Sequence, residues 1–89
     1  MLALPAELTH LQATALIQAL QLQLQAAGSA VEVDASALTR FDSSALAVML
    51  QLRRDALALG KSFRVQGLPE RLHGLAGLYG VAELLGQAA

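Results

Sequence analysis

Segments typical of β-strands and of α-helices alternate along this chain, and this alternation restricts its fold more than any other feature. Apolar and polar residues alternate in 31–35 and again in 62–66, as expected of strands with one buried face. Longer stretches with apolar residues at helical spacing precede, separate and follow these two strands. Strands separated by helices favour parallel pairs with right-handed crossovers. The sequence therefore predicts an α/β fold, with a small mixed sheet of three to four strands packed against three to four helices.

Local signals predict where the helices begin and end. Thr9 and Gln12 have the spacing of a capping box, so the first helix is expected to begin there. The longest helical pattern covers 45–59 and is followed by a glycine. Pro69 suits the first turn of a third helix. Residues 81–85 continue the apolar pattern of that helix and predict a short final turn or helix.

The composition limits the class of protein. The 89 residues suit one small domain, taken as 1–89, and a hydrophobic fraction of 55% excludes a disordered chain. Charged residues make up only 15%, so part of the apolar surface is expected to meet a partner. A net charge of −1 does not indicate the basic surface that nucleic-acid binding requires. The absence of cysteine suits a reducing cytosol. No apolar run approaches about 18 residues, the length that crosses a bilayer, so a cytoplasmic protein is predicted.

Few residues in the sequence suit catalysis or metal binding. His10 and His73 fall on different predicted helices, and neither has a cysteine or an acidic cluster near it. No glycine-rich loop of a phosphate-binding type is present. Ser43 has no histidine or lysine beside it in sequence to activate its hydroxyl. We therefore expect no enzymatic activity, no metal and no cofactor.

The most informative segment is Asp42-Ser43-Ser44, at the start of the second helix. A helix N-terminus exposes unpaired N–H groups and partial positive charge. The segment 41–44 offers several candidates for the N-cap, and Ser43 or Ser44 can cap these groups. This serine is either an ordinary cap, part of a protein-binding surface or an acceptor of a phosphoryl group. A phosphate would add nearly two negative charges, which a helix N-terminus tolerates but a partner surface built for a neutral hydroxyl does not.

Basic residues are concentrated in the second half of the chain. They form either a solvated face or a basic flank that meets an acidic partner or an anionic membrane surface. Five of the six lie there: Arg53, Arg54, Lys61, Arg64 and Arg71.

Residues 31–46, with the sequence VEVDASALTRFDSSAL, resemble the STAS domain family of anti-sigma-factor antagonists and related cytosolic modules. The segment matches the family's strand, its D-x-S-x-L motif and its D-S-S motif at the helix start. The similarity continues through the second strand and the Gly67 turn, and it covers nearly the whole chain. It differs at Ala45, where the family has glycine, and at the N-terminus. There only 2–4 precede Pro5, so the domain is expected to be shortened, with an exposed sheet edge that favours homodimers.

Within the family, 65–68 and 75–81 are most similar to cytoplasmic accessory subunits of phospholipid ABC transporters in Gram-negative bacteria. The resemblance implies a partner, the transporter's ATPase, and association with the inner membrane only through the complex. The alternative that it implies is an anti-sigma-factor antagonist, in which a kinase-like anti-sigma factor phosphorylates Ser43. Ser43 matches the family's functional serine or threonine, which in the transporter subunits is a threonine at the ATPase interface. The expected partner-binding residues are Arg40, Asp42, Ser43, Ser44 and Leu46.

Overall fold

The computed structural model describes residues 1–85, which form five short strands, three α-helices and a final 3-10 turn. No helix in this part of the chain is both long enough and apolar enough to cross a membrane. In chain order the elements are β1 (Leu2–Ala3), β2 (Glu7–Leu8), α1 (Ala13–Ala26), β3 (Ala30–Asp34), β4 (Arg40–Phe41), α2 (Ser44–Ala58), β5 (Ser62–Gln66), α3 (Glu70–Leu78) and the 3-10 turn Ala82–Leu85.

The strands form two groups, and the predicted α/β class is confirmed. A three-stranded sheet has the order β1–β3–β5, and β2 pairs with β4. The sheet was predicted to be mixed, and every pairing within residues 1–85 is parallel. Parallel neighbours need a crossover between them, which α1 supplies between β1 and β3 and α2 supplies between β3 and β5.

Alternation along β3 and β5 decides which face of the sheet is buried. Val31 lies opposite Phe63 and Val33 opposite Val65, and all four side chains are buried. The residues between them point to the other face, where the cross-strand neighbour of the half-buried Glu32 is an exposed arginine. The predicted strands are therefore confirmed, with β3 beginning one residue earlier than expected.

One aliphatic core joins all the major elements. The low aromatic content of 3% leaves leucine as its main component, and each fully buried leucine stabilises the fold by about 1.5–3 kcal/mol. The most completely buried leucines come from β2, α1, α2, α3 and the final turn: Leu8, Leu20, Leu24, Leu52, Leu72 and Leu85.

The first helix begins one turn later than the capping-box spacing predicted. Gln12 and Ala13 both donate backbone hydrogen bonds to the Thr9 carbonyl, at 3.1 Å each, so a separate turn precedes the helix. The Gln12 side chain does reach back, and its Oε1 accepts from the Thr9 N–H at 2.8 Å. The Thr9 hydroxyl, however, accepts from the N–H of Leu11 at 3.3 Å rather than capping α1. Half of the predicted capping box therefore forms, and it stabilises the turn.

The end of α1 is held by a lysine from the turn between α2 and β5. The Nζ of Lys61 donates to the carbonyl oxygens of Leu24 at 2.8 Å, Gln25 at 3.2 Å and Ala27 at 2.5 Å. The last carbonyls of a helix have no partner within the helix. A cation there supplies that partner and also interacts favourably with the negative end of the helix dipole. Lys61 therefore has a structural role in the fold.

Candidate functional site

A contact between two distant segments builds the start of α2. The pairing of β2 with β4 brings the turn after β2 beside Asp42. The Oδ2 of Asp42 accepts a hydrogen bond from the backbone N–H of His10 at 3.1 Å, and it lies 3.2 Å from the Nδ1 of the same histidine. We call this contact the His10–Asp42 clasp. It holds together residues that are 32 positions apart in the sequence.

Asp42 is also the residue that caps α2. Its Oδ1 accepts from the N–H of Ser44 at 2.8 Å, and its carbonyl oxygen accepts from the N–H of Ala45 at 3.1 Å. Ser43 has helical backbone angles of φ −62° and ψ −15°, and its side chain makes no capping hydrogen bond. Of the N-cap candidates that the sequence offered in 41–44, the side chain that caps α2 is therefore that of Asp42 rather than that of Ser43.

The same hydrogen bonds keep the Asp42 carboxyl ionised. The hydrogen bond from the Ser44 N–H is the largest cause of the change in the pKa of Asp42, and it lowers that pKa. Burial is the next cause and raises the pKa, and the contacts from His10 lower it again. Together they lower the pKa of Asp42 from 3.8 to about 2. A carboxylate that accepts backbone hydrogen bonds is stabilised in its charged form. The start of α2 therefore carries a fixed negative charge at every physiological pH.

The edge of this site is exposed, and the one ion pair described there is weak. Arg40 lies in β4, with its Nη1 3.9 Å from the Oε2 of Glu7 in β2. Both side chains are largely open to solvent, so the pair contributes little to stability. Glu7 also accepts a hydrogen bond from the Nε2 of Gln12 at 2.7 Å. Arg40 is thus exposed at the edge of the site, with Glu7 beside it.

The site is not arranged to activate a serine hydroxyl. The fold brings a histidine and an aspartate next to two serines, which the sequence did not suggest. Among the hydrogen bonds of residues 1–85, however, none joins His10 to the hydroxyl of Ser43 or of Ser44. A nucleophilic serine needs a base within hydrogen-bond reach of its oxygen. Within the same residues no group of three or more histidine, cysteine, aspartate or glutamate side chains is placed to hold a metal ion.

Leu46 does not lie on the surface where the sequence placed it. Its side chain is only 3% exposed and belongs to the core. Ser43, by contrast, is exposed, and Asp42 and Ser44 are half-buried. The prediction that Leu46 contacts a partner is therefore corrected: it packs the first turn of α2 against the core and supports the exposed residues from beneath.

Comparison with known families fits this arrangement of elements. The family model described as "Mlab, STAS domain" matches residues 1–86, almost the entire chain. The chain belongs to the STAS domain family. Within that family it is most similar to MlaB, as the sequence resemblance predicted. Among curated proteins, no sequence matches this STAS domain closely enough to count as a relative.

Two surface features of this STAS domain were missed by the sequence analysis. Leu11 is 77% exposed beside the His10–Asp42 clasp, in the turn ahead of α1, where helical periodicity does not apply. The second feature is a shallow groove of about 300 Å³ between α1 and α2, next to Ser43, which we call the α1–α2 groove. It is lined by Ala13, Thr14, Ile17, Ser44, Ala47, Val48 and Gln51.

The basic residues of the second half have different surroundings. Lys61 holds the end of α1, and the guanidinium of Arg71 lies 5.3 Å from the centre of the Phe41 ring. Arg64 is on the sheet, opposite Glu32. A cation over an aromatic ring is stabilised by about 0.5–1 kcal/mol at an exposed position. For Lys61 and Arg71 the structure thus provides local partners within the fold.

Proposed function

We propose that this STAS domain is a non-catalytic accessory subunit that binds the ATPase of an MlaB-type phospholipid ABC transporter. In this role it supports the assembly and activity of the complex from the cytoplasmic side of the inner membrane. The match to the MlaB family model supports the proposal. The partner surface that we propose comprises Arg40, Asp42, Ser43 and Ser44, the residues around the start of α2.

The observation that carries this proposal is the free position of the Ser43 hydroxyl. Because Asp42 caps α2, the Ser43 side chain makes no capping bond and stays exposed. The His10–Asp42 clasp holds the residue before it, and the hydrogen bond from the Ser44 N–H to Asp42 holds the residue after it. A polar group held rigidly at the surface loses little conformational entropy when a partner covers it. Ser43 is therefore well suited to a close contact with a neutral hydrogen-bonding group.

A second candidate function is that of an anti-sigma-factor antagonist switched by phosphorylation of Ser43. The exposed serine favours it, since a phosphate at a helix N-terminus lies at the positive end of the dipole. The ionised Asp42 disfavours it, because a second anion next to that carboxylate costs electrostatic energy. We therefore rank this function second.

The first experiment identifies the partner and then tests Ser43. The tagged protein is used to capture its partner from extract of its native cell, and mass spectrometry identifies it. An ABC-type ATPase recovered with permease subunits supports the first function. A serine-kinase-like anti-sigma factor, with phosphate on Ser43, contradicts it and supports the second.

Binding of purified Ser43→Asp to that ATPase then tests the site. We expect the variant to fold normally, because a carboxylate suits a helix N-terminus, and to bind at least about tenfold more weakly, because it buries an unpaired charge. Ser43→Ala separates loss of the hydroxyl from gain of charge. Gln23→Glu is a control that adds the same charge on the exposed part of α1. If Ser43→Asp unfolds the domain, or binds like the wild type, the site assignment is wrong.

A further inference from the structure

We draw no further inference here: the strongest candidate, the surface patch of exposed apolar side chains at the end of α3 and in the final 3-10 turn (Leu78, Tyr79 and Leu84), carries none because nothing in the structure shows what covers it.

Discussion

At the scale of single residues, the carboxylate of Asp42 connects the fold with the candidate site. It accepts from Ser44 at the start of α2 and from His10 in the turn before α1. These bonds lower its pKa to about 2 in the folded protein, compared with 3.8 for an ordinary aspartate. A carboxyl whose folded pKa is depressed contributes stability above the unfolded pKa and loses it as the pH falls through the folded pKa.

We predict that Asp42→Asn lowers the stability of the domain at neutral pH and weakens its loss of stability in acid. The amide keeps one oxygen acceptor but carries no charge, so it holds His10 and the helix N-terminus less strongly. The measurement is thermal unfolding of the wild type and the variant at several values between about pH 7 and about pH 2.

The control for this prediction is the other carboxyl with a lowered pKa, Asp34. Hydrogen bonds from Ser36 are the main cause of its shift. Asp34→Asn should remove a separate part of the acid sensitivity and leave the part due to Asp42. If Asp42→Asn has the same pH dependence as the wild type, the clasp does not stabilise the folded state in the way that we describe.

Sequence reasoning found the Asp42-Ser43-Ser44 segment and its N-cap candidates but did not show which side chain caps the helix. Aspartate and serine are nearly equal in preference for the N-cap, so local propensity does not choose among three such neighbours. In the structure the carboxylate of Asp42 also accepts from His10, which the β2–β4 pairing brings from 32 positions away. The burial of Leu46 was missed for a related reason. The first turn of a helix packs one face against the core, and the sequence alone does not show which of its residues lie on that face.

At the scale of elements, two glycines provide a matched pair of substitutions. Gly67 follows β5 with φ at +70°, and a Cβ there would come within 2.8 Å of the Cβ of Ser36 and 3.0 Å of its backbone nitrogen. Gly74 lies within α3, and a Cβ there would meet nothing within 4 Å. The first backbone position therefore requires glycine, and the second does not.

We predict opposite effects when each of these glycines is replaced by alanine. Gly67→Ala should lower the free energy of unfolding by about 1–3 kcal/mol, because it combines a left-handed backbone with a steric clash. Gly74→Ala should raise it by about 0.5–1 kcal/mol through higher helix propensity. Urea unfolding followed by circular dichroism measures both. Equal effects of the two substitutions would show that the turn after β5 tolerates a side chain and that our account of it is wrong.

The elements with clear periodicity and a glycine boundary were predicted more accurately than the two-residue strands. The boundaries of α2 and β5 agree with the sequence prediction to within one residue, because strong periodicity is bounded by glycine on at least one side. In contrast, β2 and β4 have two residues each, too few to show any alternation. Their pairing depends on contacts between distant residues, and sequence analysis therefore missed the element pair that assembles the site.

At the scale of the whole molecule, the sheet is parallel but open on one face. Parallel sheets usually have both faces covered, and their strands are then apolar throughout. Here buried Val31 and Val65 alternate with the more accessible Glu32 and Arg64, so one face packs on the core and the other is polar. This alternation of buried and accessible residues allows a parallel sheet of only three strands to leave one face uncovered. The strand order among residues 1–85 also leaves the sheet with two free edges.

The free edges give a physical basis for the expected homodimers. The sheet order leaves the outer edges of β1 and β5 without a strand partner among residues 1–85. Since β1 has two residues and β5 has five, β5 offers the longer row of backbone groups. We predict that the free chain self-associates through β5 and that exposed Arg64 weakens this association, because a charge on an edge strand opposes pairing with another copy.

Replacing Arg64 with valine tests this prediction. Arg64→Val removes the charge and supplies a residue that favours strands, so we expect dimerisation to strengthen by about threefold or more. Sedimentation velocity over a range of protein concentrations measures the change. Arg54→Val removes the same charge from an exposed position on α2 and should leave the association constant unchanged. Two results would contradict the prediction: a wild type that stays monomeric at every concentration, or equal effects of the two substitutions. The second result would show that net charge, rather than the edge of β5, controls association.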